Sequence, residues 1–144
     1  MPKTLRRLRR LALAPALLFL AASCENSVSI EADVLAGNYT ATSFIVTQTG
    51  QQPVNVLASG GSLIVNIAAD SSTTGTLSLP AGFLGGTGGT ASMSGKITRL
   101  PDGTFQFQQT ENTFVRQLVW QQFTDALVST SFLSNTQFQI TLRK

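Results

Sequence analysis

The chain has 144 residues, with ten Lys and Arg against seven Asp and Glu, a formal net charge of +3, a single cysteine and no histidine. The lack of histidine excludes His-based catalytic triads and His-ligated metal sites, and one cysteine cannot form an intrachain disulfide. Half of the basic residues fall within the first ten positions, as Lys3, Arg6, Arg7, Arg9 and Arg10, so the positive sign belongs to the N-terminus rather than to the body of the chain.

Behind that basic start runs an apolar stretch of 12 residues, Leu11 to Ala22, containing Pro15. A bilayer-spanning helix needs roughly 20 residues, whereas the core of a secretory signal needs roughly 7–15. The length predicts a removed signal. The segment Ala21-Ala22-Ser23-Cys24 that closes the run resembles the lipobox of bacterial lipoproteins, with Ala21 where leucine is usual. The resemblance implies cleavage after Ser23, a diacylglyceryl group on the Cys24 thiol, and a location in the bacterial cell envelope with the membrane as partner. Glu25 stands where an aspartate would imply inner-membrane retention, so an outer-membrane or extracytoplasmic face is expected. The alternative is ordinary cleavage near Ala22 or Ser23, which would leave Cys24 as a free thiol.

Removal of residues 1–23 leaves 121 of the 144, enough for one domain with a real core. The remaining five cations (Lys96, Arg99, Arg116, Arg143 and Lys144) face seven acids, a net charge of −2. That balance argues against nucleic acid as a partner. Residues 24–35 are short and mixed and read as a lipidated tether, and residues 36–144 as a single domain.

Within that domain β-formers dominate and turn residues recur. Asn38 to Thr47 is rich in Thr and aromatics, and Gly50 and Pro53 then interrupt it. Leu63, Val65 and Ile67 alternate with Ser62, Asn66 and Ala68; Asp70 to Thr73 reads as a turn; Leu77 and Leu79 alternate with Thr76 and Ser78. Residues 80–90 hold five glycines and read as a mobile loop on a barrel rim. A phosphate-cradling loop would need a helix and usually Lys-Ser/Thr behind it. Met93 to Thr98 and Phe105 to Gln108 make the clearest hairpin, joined by Pro101-Asp102-Gly103. Phe114 to Phe123 reads as one strand, followed by Ala126 to Phe132 and Gln137 to Leu142.

The prediction is an all-β fold, an antiparallel up-and-down barrel of about eight strands, because closure removes exposed edges; a two-sheet sandwich is the alternative. The order of elements, Gly37-Asn38-Tyr39 at the start of the first strand and Arg143 at the end of the last together resemble the lipocalin-like (calycin) barrels, whose Gly-x-Trp is here Gly-x-Tyr. Thr113 to Arg116 resembles a stretch of small bacterial lipoproteins with such a domain. The resemblance implies that Gly37, Tyr39 and Arg143 close the barrel, with Arg143 laid across the Tyr39 ring.

Asp70, Asp102, Glu111 and Asp125 fall at expected turns, where carboxylates bond the local backbone. No catalytic set, cofactor or metal is therefore expected. Arg116, Leu118 and Trp120 lie two apart, so on a strand they share one face. If that face is the lumen, they would bind a ligand, Arg116 by its charge and Trp120 as apolar wall. If it is not, Arg116 pairs with a turn acid such as Glu111 and Trp120 fills the core. The lipocalin-like resemblance implies a membrane-anchored, non-catalytic barrel binding a small apolar ligand; the alternative is a structural barrel filled by its own side chains and contacting another envelope component.

Overall fold

The computed structural model describes residues 34–144. Ser23, Cys24, the expected signal segment and most of the expected tether lie outside the described residues. Among the described residues nine strands form: β1 (Gly37–Gln48), β2 (Val54–Asn55), β3 (Ser62–Ile67), β4 (Ser72–Leu79), β5 (Gly89–Arg99), β6 (Phe105–Gln109), β7 (Val119–Phe123), β8 (Ala126–Leu133) and β9 (Thr136–Arg143). All pairings are antiparallel, and β1 pairs with both β3 and β9, so eight strands close into an up-and-down barrel with β2 outside the ring. The fold class is the one the alternation predicts.

β1 makes the closure. Its first residues, Gly37 to Thr40, pair with β3, and Thr40 to Gln48 pair with β9. The register shifts between Ala41 and Ser43. This bulge changes the phase of alternation: Tyr39 and Ala41 face inward before it, Phe44 and Val46 after it. A bulge adds local bend and twist, which a long strand shared by two neighbours requires. β4 and β5 are creased at Gly75 and Gly95, where a Cβ would run into the carbonyl oxygens of Ile64 and Gln108 of the neighbouring strands. Only glycine permits those backbones to approach so closely.

The interior is packed. Twenty-two buried apolar residues form one cluster, with Phe44, Leu63, Phe107, Leu118, Trp120 and Leu127 all at 0% exposure. Phe107 meets the edge of Trp120 with ring centroids 5.5 Å apart and an interplanar angle of 79°, a favoured aromatic geometry.

The described residues begin at the base of the barrel, beside the 68–71, 100–104 and 124–125 turns. The opposite rim carries the 49–61, 80–88, 110–118 and 134–135 connections. Three expected boundaries differ. Residues 114–117 form a 3-10 turn rather than the start of a strand. Its Phe114 stacks on Phe138 at 4.6 Å and 24°, and Val115 is fully buried, so the turn caps the rim instead of extending the wall. β4 begins at Ser72, inside the expected turn, because Thr73 is β-branched, faces inward and pairs with Ile67. Leu35, at the end of the expected tether, is 2% exposed and belongs to the core.

Candidate functional site

At the base, Gly37 and Tyr39 lie at the start of β1, and the cation over the Tyr39 ring is Lys144 rather than the expected Arg143. Lys144 Nζ lies 5.5 Å from the centroid of the Tyr39 ring and donates a hydrogen bond to the Val34 carbonyl at 2.9 Å. Arg143 points away and pairs with Asp125 at 2.7 Å, with both side chains more than half exposed. Alternation explains the exchange: Ile140 and Leu142 face the core, so Arg143 must face solvent. Gly37 gives the lysine its path, since a Cβ there would sit 3.0 Å from Lys144 Cε. The Tyr39 hydroxyl donates to the Leu35 carbonyl at 2.9 Å, and burial pushes the phenol above its ordinary value. Tyr39 therefore stays neutral and ties the first turn to the core.

Arg116, Leu118 and Trp120 do not share a face. Leu118 and Trp120 are buried, whereas Arg116 sits on the 3-10 turn and is exposed. Its carbonyl accepts a hydrogen bond from Gln106 Nε2, and its guanidinium meets no carboxylate among the described residues. Glu111 does not pair with it. Instead Glu111 accepts from the Ser94 backbone N–H at 2.7 Å and from Ser94 Oγ at 2.9 Å.

These bonds from Ser94, its backbone N–H foremost, hold the Glu111 carboxyl at about 2, below the ordinary 4.5. A lowered folded-state value means that the carboxylate contributes stability above the unfolded value, lost as pH falls through the folded one. Glu111→Gln should therefore be less stable than the parent at neutral pH, and the gap should close between about 4.5 and about 2. Urea unfolding of both proteins across that range measures the gap. A gap that stays constant with pH would show that the carboxylate charge is not what Ser94 reads.

The other acids act locally. Asp70 accepts from the Ser72 N–H at 2.9 Å, and Asp102 from the Thr104 N–H at 3.0 Å and from Thr104 Oγ1 at 2.6 Å. The side chain and then the backbone of Ser72 lower the Asp70 carboxyl, and the side chain and then the backbone of Thr104 lower that of Asp102. Among the described residues no three potential metal ligands converge.

Concave sites lie at the two ends. At the base, a cleft of about 500 Å³ is lined by Val34, Arg99, Asp102, Phe105 and Phe123 among others. At the rim, a groove of about 500 Å³ runs between the 48–59 stretch and the 80–85 turn. Val46, Val54, Phe83 and Leu84 give it an apolar lining, and Gln48, Gln51 and Gln52 give it carboxamides. A second rim cleft, of about 430 Å³, lies on the other side of Phe83 against Leu77, Leu79 and residues 86–91. Phe83 is the only buried residue of 81–90 and anchors that turn.

Leu84 is held at φ 48°, between Gly82 at 83° and Gly85 at 78°. The left-handed conformation costs an L-residue about 1–2 kcal/mol, and here it turns Leu84 outward at 47% exposure. Nothing in the alternation of the sequence marks this groove, because it joins two connections rather than two strands.

Searches against protein-family models, curated proteins and solved structures find no match to this chain.

Proposed function

We propose that the protein is a lipid-anchored, non-catalytic lipoprotein of the bacterial envelope, with a lipocalin-like barrel that works through its outer surface by contacting another envelope component. The observation that supports this reading is the filled interior. Trp120, Phe107 and Phe44 occupy the space a lumenal ligand would need, and all three are 0% exposed. That packing weighs against a small apolar ligand held inside the barrel.

The outer wall supports a contact role as well. Among the described residues, charges on strands are limited to Lys96, Arg99 and Arg143, and the rest sit in turns or at the chain end. The wall itself is mostly Ser, Thr and Gln, with Phe132 at 70% exposure and Phe123 at 54%. Large exposed aromatics on a wall with few charges suit protein contacts, where aromatic residues are enriched and most charged ones are depleted.

Photo-crosslinking side chains placed at Phe132 and at Phe123, in the native host, test this reading. A discrete adduct larger than the monomer is the expected result at one of the two positions. Recovery of the monomer alone at both would reject it.

A further inference from the structure

The base of the barrel supports an inference that rests on the lipid anchor at Cys24 and goes beyond the contact role of the wall. We propose that the base, led by Phe123 and Val34, sits on the lipid surface, so that the barrel stands upright with its rim away from the membrane.

Chain length sets the first constraint. Nine residues separate Cys24 from Val34. Whatever their path, ten residue steps hold Val34 within about 36 Å of the anchoring residue. The eight residues of β9 span about 26 Å, which the strand tilt of a barrel reduces to about 20 Å of height. A barrel resting on its rim would lift Val34 by that height and use more than half of the reach. Resting on its base uses almost none of it. A tethered surface meets its partner at high effective concentration, so even a weak contact is populated.

Composition then singles out the base. Val34 is 56% exposed and Phe123 54%, and both line the same cleft, together with Arg99. Apolar side chains set at the boundary of headgroups and acyl chains, with cations beside them, hold proteins that lie on a bilayer. Four of the five cations among the described residues lie toward this end. Lys96 pairs opposite Ser72 at the start of β4, Arg99 and Arg143 end their strands, and Lys144 follows. Arg116 alone lies at the rim. Asp70, Asp102 and Asp125 share the base, so four cations face three acids. Their carboxylates are held by the Ser72 and Thr104 N–H groups and by Arg143. Glu25, Glu31 and Asp33 precede the base in the sequence and offset its charge. Net charge therefore gives little long-range attraction. The anchor supplies proximity. Phe123 and Val34 supply orientation, with ammonium and guanidinium groups beside them to meet lipid phosphates. This assignment leaves Phe132 as the wall residue for a partner.

Fluorescence quenching by lipid tests the orientation. The protein is the mature form as its native host makes it, reconstituted into vesicles of phosphatidylethanolamine and phosphatidylglycerol. Acylation occupies the Cys24 thiol, so an introduced cysteine is the only one open to a bimane label. Thr124→Cys marks the base, Thr130→Cys the wall and Gln52→Cys the rim, all at exposed positions. Lipid with a nitroxide headgroup should quench the label at 124. Labels at 130 and 52 should stay at the level seen in vesicles without nitroxide. Phe123→Asp and Val34→Asp together, added to Thr124→Cys, should abolish the quenching while circular dichroism still shows the barrel.

An unquenched label at 124 overturns the proposal. So does quenching at 130 or 52 that equals or exceeds it, and so does quenching that survives in the folded protein carrying both aspartates. In each case an acyl adduct in the intact mass leaves the anchor standing and removes only the upright orientation. A mass without the adduct would reject the anchor, and the orientation with it.

Discussion

Trp120→Ala should destabilise the barrel by about 3–5 kcal/mol, the range for removing a large buried aromatic. Trp120 is 0% exposed and packs against Phe107. A small domain has only about 5–15 kcal/mol to lose, so the variant should sit near the edge of unfolding at room temperature. Trp120→Phe should cost much less, below about 2 kcal/mol. The reason is specific to this indole: its Nε1–H is buried without a hydrogen-bond partner. Phenylalanine keeps most of the packing and removes an unsatisfied donor. Urea unfolding followed by far-UV circular dichroism measures both variants, since neither retains tryptophan fluorescence. A loss near zero for Trp120→Ala would mean that the interior is loosely filled. The barrel could then admit a ligand, and the contact role would lose its main support.

The parts of this molecule that were legible in its sequence are those where one face of a strand is apolar and a turn has a backbone reason. The β5–β6 hairpin is the clearest case. Met93, Ile97, Phe105 and Phe107 are all buried. Asp102 bonds the Thr104 N–H, and Gly103 takes φ 86°, as the Pro-Asp-Gly triplet predicts. The bulge in β1 was not legible, because the neutral Thr40, Thr42 and Ser43 fit either phase of alternation. The 3-10 turn at 114–117 was obscured by apolar residues that suit a strand, yet a signal existed. Phe114, Val115 and Leu118 recur at one and three residues rather than at two, a spacing that belongs to a helical turn. Lys144 over Tyr39 could also have been read from alternation, since Ile140 and Leu142 facing inward exclude Arg143. The rim groove had no such signal. Its walls come from segments about 30 residues apart with no periodicity, and only tertiary structure brings them together.

Cys24→Ser should move the protein from the membrane fraction to the soluble fraction. Each buried methylene contributes about 0.8 kcal/mol, and stable anchoring needs more than one chain. A diacylglyceryl group on the Cys24 thiol would meet that requirement, and serine has no thiol to carry it. The barrel should be untouched, because Cys24 lies eleven residues before Leu35, the first core residue among those described. Equal urea midpoints for variant and parent would separate loss of the anchor from loss of the fold. Fractionation after a high-salt wash gives the readout, and intact mass of the parent from its native host should show the acyl adduct. If Cys24→Ser still sediments with membranes after that wash, the lipid is not what holds the protein. Phe132, exposed at 70%, then becomes the first alternative attachment point. Release by Phe132→Asp in the Cys24→Ser background would place the protein on the membrane, or on a membrane partner, through its outer wall.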